Sequence, residues 1–230
     1  MSTAPHLDPR FRRWLGLFGL GLALTSAVTW VVAPIHVSSG ELGAELVDHY
    51  ESHRTLLLAF GFAAALGNPL QALFFVAQRA IVGPGEVEQT LGRVGLVCML
   101  IVVVLVMVAF SIFAALAYAQ PAVDVAAPLT DLAWILINQA AGPVTTAGLI
   151  AMTIALARSG LVRGWTVGYT IAVGAAHLIV AAAVADEGLF SPAGEVAFAV
   201  PILFFSWFAV VGYELLRDLG TEPPHLARHG

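Results

Sequence analysis

The sequence predicts an all-α membrane protein, a bundle of six transmembrane helices with both termini in the cytoplasm. Three observations support this prediction. Of the 230 residues, 59% are hydrophobic and only 11% are charged, with a mean hydropathy of +0.88, whereas soluble domains carry about 25% charged residues. Six apolar stretches reach the length of about 20 residues that a helix needs to cross a bilayer. The basic residues also fall almost entirely on one side of such an arrangement.

The six predicted spans are joined by short connections, so the chain 1–230 forms a single integral membrane domain with a polar tail at 218–230. The spans cover residues 14–35, 55–78, 94–119, 132–157, 165–185 and 196–216. The first apolar run exceeds the core of about 7–15 residues in a signal peptide and no small-residue cleavage site follows, so we interpret it as a retained span. The third span contains nothing more polar than Cys98 between residues 97 and 110. We therefore expect it to be the helix that faces lipid most.

The placement of the arginines predicts the orientation. The chain has ten arginines and no lysine, and only Arg54 lies on the side opposite to the other nine. Because loops rich in basic residues stay in the cytoplasm, both termini are placed there, in the cell membrane. Aromatic residues near both boundaries are predicted to anchor in the headgroup layers. They are Trp14, Trp165, Tyr169 and Tyr213 on the inner side, and Trp30, Tyr118 and Trp134 on the outer side.

Small and polar residues at helical spacing predict which faces point into the bundle, because helices in lipid associate through close packing and polar contacts. These residues are Gly16, Gly19, Ala23 and Ser26 in the first span, Gly61, Ala64, Asn68, Gln71 and Gln78 in the second, Asn138, Gly142, Thr145 and Thr146 in the fourth, and Thr166, Thr170, Gly174 and His177 in the fifth.

Prolines interrupt the even-numbered spans, and two of them lie beside amides. Pro69 follows Asn68 and precedes Gln71, Pro143 follows Asn138 and Gln139, and Pro201 interrupts the last span. Interrupted helices with polar side chains can form substrate sites near the middle of the bilayer. His177 is the only ionisable residue deep in a span, which makes it a functional candidate. The candidate ligand-binding residues are therefore Asn68, Gln71, Asn138, Gln139, Thr145 and His177. The alternative is that the prolines are packing kinks and the amides join helices.

The predicted outer loop 36–54 is the segment richest in chemically reactive side chains. We expect it to form a surface helix or to extend the second span. If it is helical, Glu45, His49 and His53 lie along one side, with His36 as a further ligand for a metal. The His-Glu-x-x-His pattern of metalloproteases is absent. An acidic, solvated helix explains the same residues, and we expect no cofactor there.

Several function classes find no support in the sequence. No phosphate-binding loop, dinucleotide fingerprint or nucleophile motif occurs, so no catalytic residue is predicted. A net charge of −5 disfavours nucleic acid as a partner. Glu214 is the only acidic residue within a span, and it is expected to reach water from the last turn.

The turn between the fourth and fifth spans carries a resemblance to a known family. Residues 157–165 read A-R-S-G-L-V-R-G-W, and the chain ends its last span with Pro201 and the run 212–216, G-Y-E-L-L. This resembles the R-S-x-L-V-P-x-W turn of a family of bacterial six-helix integral membrane proteins, known as a domain of unknown function. Arg163 stands where that family usually has proline. The resemblance implies the six-helix fold and no catalytic residues.

The sequence favours a non-enzymatic multi-pass protein that binds or transports a small ligand through a polar pocket between helices. Its expected partners are the bilayer and that ligand, and no feature specifies an oligomeric state. The alternatives are a metal-dependent membrane enzyme that uses the outer-loop Glu and His residues, or a scaffold subunit in which every polar residue only packs.

Overall fold

The computed structural model describes residues 8–35, 43–119, 122–182 and 194–217, which are helical throughout apart from short turns. In chain order the helices are α1 (Pro9–Val32), α2 (Gly43–Ser52), α3 (Arg54–Ile81), α4 (Glu86–Ala119), α5 (Val123–Trp134), a π-helical segment (Ile135–Ala140), α6 (Ala141–Arg158), α7 (Gly164–Ala181) and α8 (Glu195–Arg217). Six helices are long and apolar enough to cross a membrane, with α5, the π-helical segment and α6 forming one of them. The all-helical six-span prediction is confirmed within this part of the chain.

Several boundaries differ from the prediction, the start of the fourth span most of all. The fourth span begins at Val123 rather than at residue 132, because α5 continues into the π-helical segment without a break. The loop 36–54 contains α2, which confirms a surface helix there, and α3 starts directly after it at Arg54. His36, the predicted end of the fifth span at Ala185 and the tail 218–230 lie outside the described residues.

The six spans form a closed ring in which each helix packs against two neighbours, in the order α1, α3, α4, α6, α7, α8 and back to α1. The contact between α1 and α8 is extensive, as are those of α4 with α3 and α6, whereas α1 with α3 and α7 with α8 pack more loosely. The ring therefore has two weak seams, which separate the α1–α8 pair from the other four spans.

Helix α4 is not the peripheral helix that its composition predicts. Met99, Ala109 and Phe113 on one face are fully or almost fully buried, while Ile101 and Val104 on the other face are exposed. The most apolar stretch of α4 is 33% buried, against 28% for those of α1 and α3, so α4 is not the span that faces outward most. An apolar side chain suits both lipid and a helix interface, which is why its composition does not distinguish the two.

Close approach of backbones holds α1 against α8. A Cβ atom on Gly212 would lie 2.7 Å from the Gly16 carbonyl oxygen, and a Cβ on Gly16 would lie 2.8 Å from the Gly212 carbonyl oxygen. Gly95 and Gly148 bring α4 and α6 together in the same manner. The small residues thus act as membrane-helix packing predicts, by letting backbones touch.

The π-helical segment follows from Pro143, one turn further along. Proline has no N–H to bond the carbonyl of the residue four before it, and its ring crowds that carbonyl, so the helix must adjust upstream. The amide of Ala141 instead donates to the carbonyls of Asn138 and Leu136. This wider winding accompanies an Asn138 side chain that is buried inside the ring.

Helix α2 packs against α5 at one end of the bundle, through fully buried Leu46 and Tyr50. The Thr130 hydroxyl donates to the Ala126 carbonyl at 2.9 Å and accepts from the Tyr50 hydroxyl at 2.8 Å. Burial raises the pKa of Tyr50 to about 12, because the phenolate would lose its hydration there. We refer to this as the α2 end of the bundle.

At the other end, which we call the arginine-rich end, the prediction that Glu214 reaches water is wrong. Its carboxylate is fully buried rather than open to water. It accepts bonds from the Arg163 backbone amide at 3.1 Å and from the Arg163 guanidinium at 2.8 Å, and Arg217 lies 3.7 Å away. A buried carboxylate needs such partners. The residue that departs from the resembled family's pattern, Arg163, thereby ties the α6–α7 turn to α8.

Candidate functional site

The residues predicted to face inward do so. All but two of them are buried, and Ser26 and Gly61 are half-buried. In the half of the bundle toward the arginine-rich end, α6, α7 and α8 meet through two of these residues, Thr166 and Thr170, and through Thr153 and Trp207. The Trp207 indole N–H donates to the Thr153 and Thr170 hydroxyls, 3.1 Å from each, and the Thr170 hydroxyl donates to the Thr166 carbonyl at 2.8 Å. Polar packing therefore accounts for this group.

A different group surrounds a cavity near mid-height in the ring. Five of the six candidate ligand-binding residues line it: Asn68, Gln71, Asn138, Thr145 and His177. Its volume is about 70 Å³, which has room for a few water molecules. All six spans contribute to its lining. We call this cavity, with these five side chains as its polar wall, the polar chamber.

Gln139 is the candidate that lies elsewhere. It is half-buried and does not line the polar chamber, although it adjoins Asn138 in the sequence. Neighbouring residues on a helix point about 100° apart, so one of the two amides has to face away from the chamber. Asn138, with 4% of its surface exposed, is the one that faces it.

Asn68 has an unfilled hydrogen-bonding capacity. Its side chain is 96% buried, and its Nδ2 atom has no hydrogen-bond partner among the described residues. A buried N–H without a partner costs about 1–3 kcal/mol, so native proteins rarely leave one unless water or a ligand completes it. The Asn68 amide therefore offers a donor at the chamber.

His177 is held in one orientation by its own helix. Its Nδ1–H donates to the Val173 carbonyl at 2.9 Å, since a carbonyl oxygen can only accept. In the neutral ring this places the proton on Nδ1 and leaves Nε2 as an acceptor. Phe204 lies edge-on to the imidazole, with 6.3 Å between ring centroids. The chamber thus combines a donor on α3 with an acceptor on α7.

Aromatic rings form the other wall of the chamber. Trp30, Phe110, Phe204 and Phe205 line it, and Trp30 lies 6.2 Å from Phe110 and 6.2 Å from Phe205 by ring centroids. The Trp30 indole N–H donates to the Phe198 carbonyl at 2.8 Å, which fixes the ring across the α1–α8 interface. No charged side chain lines the chamber among the described residues. Such a wall favours an uncharged ligand, because an ion would lose its hydration without gaining a counter-charge.

The prediction that Trp30 and Trp134 anchor in the headgroup layer is wrong. Both are buried, with exposed fractions of 3% and 0%, and their rings pack edge to face at 6.3 Å. Trp14, Trp165, Tyr118 and Tyr213, in contrast, are exposed, as an anchor should be. Sequence reasoning missed the aromatic wall because an indole near a span end suits both roles. The one available signal was the spacing of Trp30 four residues after Ser26, on the predicted inward face.

The candidate metal ligands that the structure describes, Glu45, His49 and His53, do not form a metal-binding group. Glu45 is exposed, and His49 Nε2 donates to the Pro34 carbonyl at 2.7 Å. The His49 and His53 rings stack with centroids 4.5 Å apart. Within the described residues, which exclude His36, no three His, Cys, Asp or Glu side chains converge as metal ligands. The loop helix packs through its apolar residues instead.

Comparison with known proteins leaves the resemblance of the α6–α7 turn as a prediction. No family model, no curated protein and no solved structure matches the chain.

Proposed function

We propose that this chain is a non-enzymatic multi-pass membrane protein that binds a small, uncharged ligand in the polar chamber, for transport or for sensing. One observation carries the proposal. Asn68, Gln71, Asn138, Thr145 and His177 come from four different helical segments, yet all five line one cavity. Among them, the Asn68 amide N–H has no hydrogen-bond partner within the described residues, whereas side chains that only join helices bond one another directly, as Thr153, Thr170 and Trp207 do.

The chamber's chemistry supports the choice of ligand. It offers an unpartnered amide N–H at Asn68 and an acceptor at His177, so a hydroxyl or a primary amide can satisfy both with one group. With a volume of about 70 Å³ it is well below the roughly 300–1,000 Å³ of sites for drug-sized molecules. We therefore expect the recognised group to contain only a few non-hydrogen atoms.

The test uses a short photoactivatable alcohol that carries a diazirine, with the purified protein in lipid nanodiscs. We expect saturable labelling of chamber residues, competed by unlabelled butanol. Asn68→Leu should weaken labelling about tenfold, since losing one hydrogen bond in a dry site is worth about 1.4 kcal/mol.

The matched control is Gln78→Leu. Gln78 is also a fully buried amide on α3 whose side-chain nitrogen and oxygen have no partner among the described residues, but it does not line the chamber. Its substitution should leave labelling unchanged within twofold. Labelling that does not saturate, or that falls equally in both variants, would refute the binding function and favour a scaffold.

We further propose that the protein resides in the cell membrane with the arginine-rich end in the cytoplasm. The support is the split of nine arginines against one. In a Cys98→Ser background, a membrane-impermeant maleimide added outside the cell should label Ser39→Cys and not Gly85→Cys. The reverse result would overturn this orientation.

A further inference from the structure

A second space opens at the loose seam between α1 and α3. It has a volume of about 340 Å³ and is lined by residues of both helices, including Thr25, Thr29, Leu66 and Leu70. Leu66 and Leu70 are 58% and 42% exposed, near the middle of a helix that is apolar enough to span the membrane. We call this space the lateral crevice. An apolar opening at that height faces the hydrocarbon of the bilayer.

The lateral crevice adjoins the polar chamber. Five residues line both spaces: Trp30, Asn68, Gln71, Phe110 and Phe205. These side chains form the partition between the two spaces, and they include two of the chamber's three amides, Asn68 and Gln71.

One hydrogen bond crosses the seam at this partition. The Gln71 side-chain amide donates to the Ser26 hydroxyl at 3.2 Å, joining α3 to α1. The bond is long for an N–H···O contact, whose usual distance is about 2.9–3.0 Å. Because Gln71 lines both spaces, this bond lies where the lateral crevice meets the chamber.

We infer that the ligand is a single-chain lipid with an uncharged polar head, such as a fatty alcohol or a primary fatty amide, which enters from the bilayer between α1 and α3. This inference rests on the proposed binding function. The head occupies the polar chamber, between the Asn68 amide and His177 Nε2, and the tail lies in the lateral crevice. Neither space alone explains the arrangement, since the chamber is too small for a chain and the crevice is lined mostly by apolar residues.

Volumes and charges select this class over other lipids. A methylene group is similar in size to a water molecule, about 30 Å³ in the liquid, so the crevice has room for on the order of ten methylenes, which suits one chain. A phosphodiester head exceeds the chamber of about 70 Å³. A fatty carboxylate would bring a charge into a lining without a cation among the described residues, and the loss of hydration disfavours it.

The experiment compares two photoactivatable probes in phosphatidylcholine nanodiscs. The long probe is a fatty alcohol of about twelve carbons with a diazirine in the tail, and the short probe is the four-carbon alcohol used above. We expect the long probe to label crevice residues saturably, in competition with dodecanol. Dodecanoate at neutral pH should compete at least tenfold less well.

Gly67→Leu tests the path specifically. Gly67 lines the lateral crevice but not the chamber, and a Cβ atom there would meet no atom within 4 Å, so a leucine side chain would start in open space beside the crevice. The control is Gly168→Leu, because Gly168 is an exposed helical glycine on α7 with equally open surroundings. We expect Gly67→Leu to lower labelling by the long probe at least tenfold and labelling by the short probe less than twofold. Gly168→Leu should change neither.

The outcomes separate the two proposals. If the short probe labels the chamber saturably but the long probe is unaffected by Gly67→Leu, or dodecanoate competes as well as dodecanol, the lipid inference is wrong and the binding function stands. If the short probe does not label the chamber saturably and the long probe does not label the crevice saturably, the binding function itself fails.

Discussion

Asn68 and Gln71 lie one turn apart on α3 and both line the polar chamber, yet their amides differ in hydrogen bonding. Asn68 Nδ2 has no partner among the described residues, whereas Gln71 Nε2 donates to Ser26. We therefore predict that the same change, amide to leucine, has opposite effects on stability at the two positions. Asn68→Leu should stabilise the ligand-free protein, and Gln71→Leu should destabilise it.

The magnitudes follow from the two environments. A buried donor left without a partner costs about 1–3 kcal/mol, and water in the chamber recovers part of that. Removing the Asn68 amide should therefore raise the free energy of unfolding by about 1 kcal/mol. Gln71→Leu removes one hydrogen bond between helices, which lowers the free energy of unfolding by about 0.5–1.5 kcal/mol. The two variants should differ by about 2 kcal/mol, roughly a thirtyfold difference in the ratio of folded to unfolded protein.

The measurement is the free energy of unfolding from SDS titration in mixed micelles, without added alcohol. Adding butanol should then stabilise the unaltered protein more than Asn68→Leu, which would be more stable yet bind the alcohol about tenfold more weakly. Such an exchange of stability for function is expected where a protein keeps an unsatisfied polar group for a ligand. If Asn68→Leu destabilises the protein as much as Gln71→Leu does, the Asn68 amide already has a partner and the reasoning is refuted.

Two further predictions concern the ends and seams of the bundle. Gly212→Ala should lower the free energy of unfolding by about 1–2 kcal/mol, because the new Cβ would meet the Gly16 carbonyl oxygen at 2.7 Å. The control, Gly168→Ala, should be neutral or stabilising by up to about 1 kcal/mol, since nothing lies within 4 Å of a Cβ there. Equal effects of the two changes would contradict the close packing of α1 and α8. Tyr50→Phe should cost about 1 kcal/mol at pH 7, measured by the same titration, since the bond to Thr130 is lost. The pKa of Tyr50 is raised to about 12 in the folded protein, against an ordinary value of 10.0. The contribution of the protonated Tyr50 side chain to the free energy of unfolding is therefore complete below pH 10 and is lost as the pH rises through 12. The unaltered protein should lose about 2–3 kcal/mol more than Tyr50→Phe over that interval, and parallel pH profiles would contradict a buried, neutral Tyr50.

The amino-acid sequence by itself determined the number of spans and the inward face of each. Both properties are local, because a span is a continuous apolar run and an inward face is a repeat of small and polar residues at helical spacing. This is why Asn68, Gln71, Asn138, Thr145 and His177 could be named in advance as candidates that share one cavity. The continuous helix before residue 132 was missed, since Asp124, Pro128 and Asp131 resemble a loop in sequence, although the helix α5 that contains them packs against α2.

The tertiary structure alone decided which helices are neighbours, and the site depends on that order. Trp30 lines the chamber because α1 packs against α8, where its indole reaches the carbonyl of Phe198, 168 positions away in the chain. Glu214 is buried because Arg163 approaches it from the α6–α7 turn. The lateral crevice exists because α1 meets α3 loosely and α8 closely. Contacts of this kind join residues far apart in sequence, and in a bilayer many helix orders satisfy the same local patterns, so only packing between helices selects one.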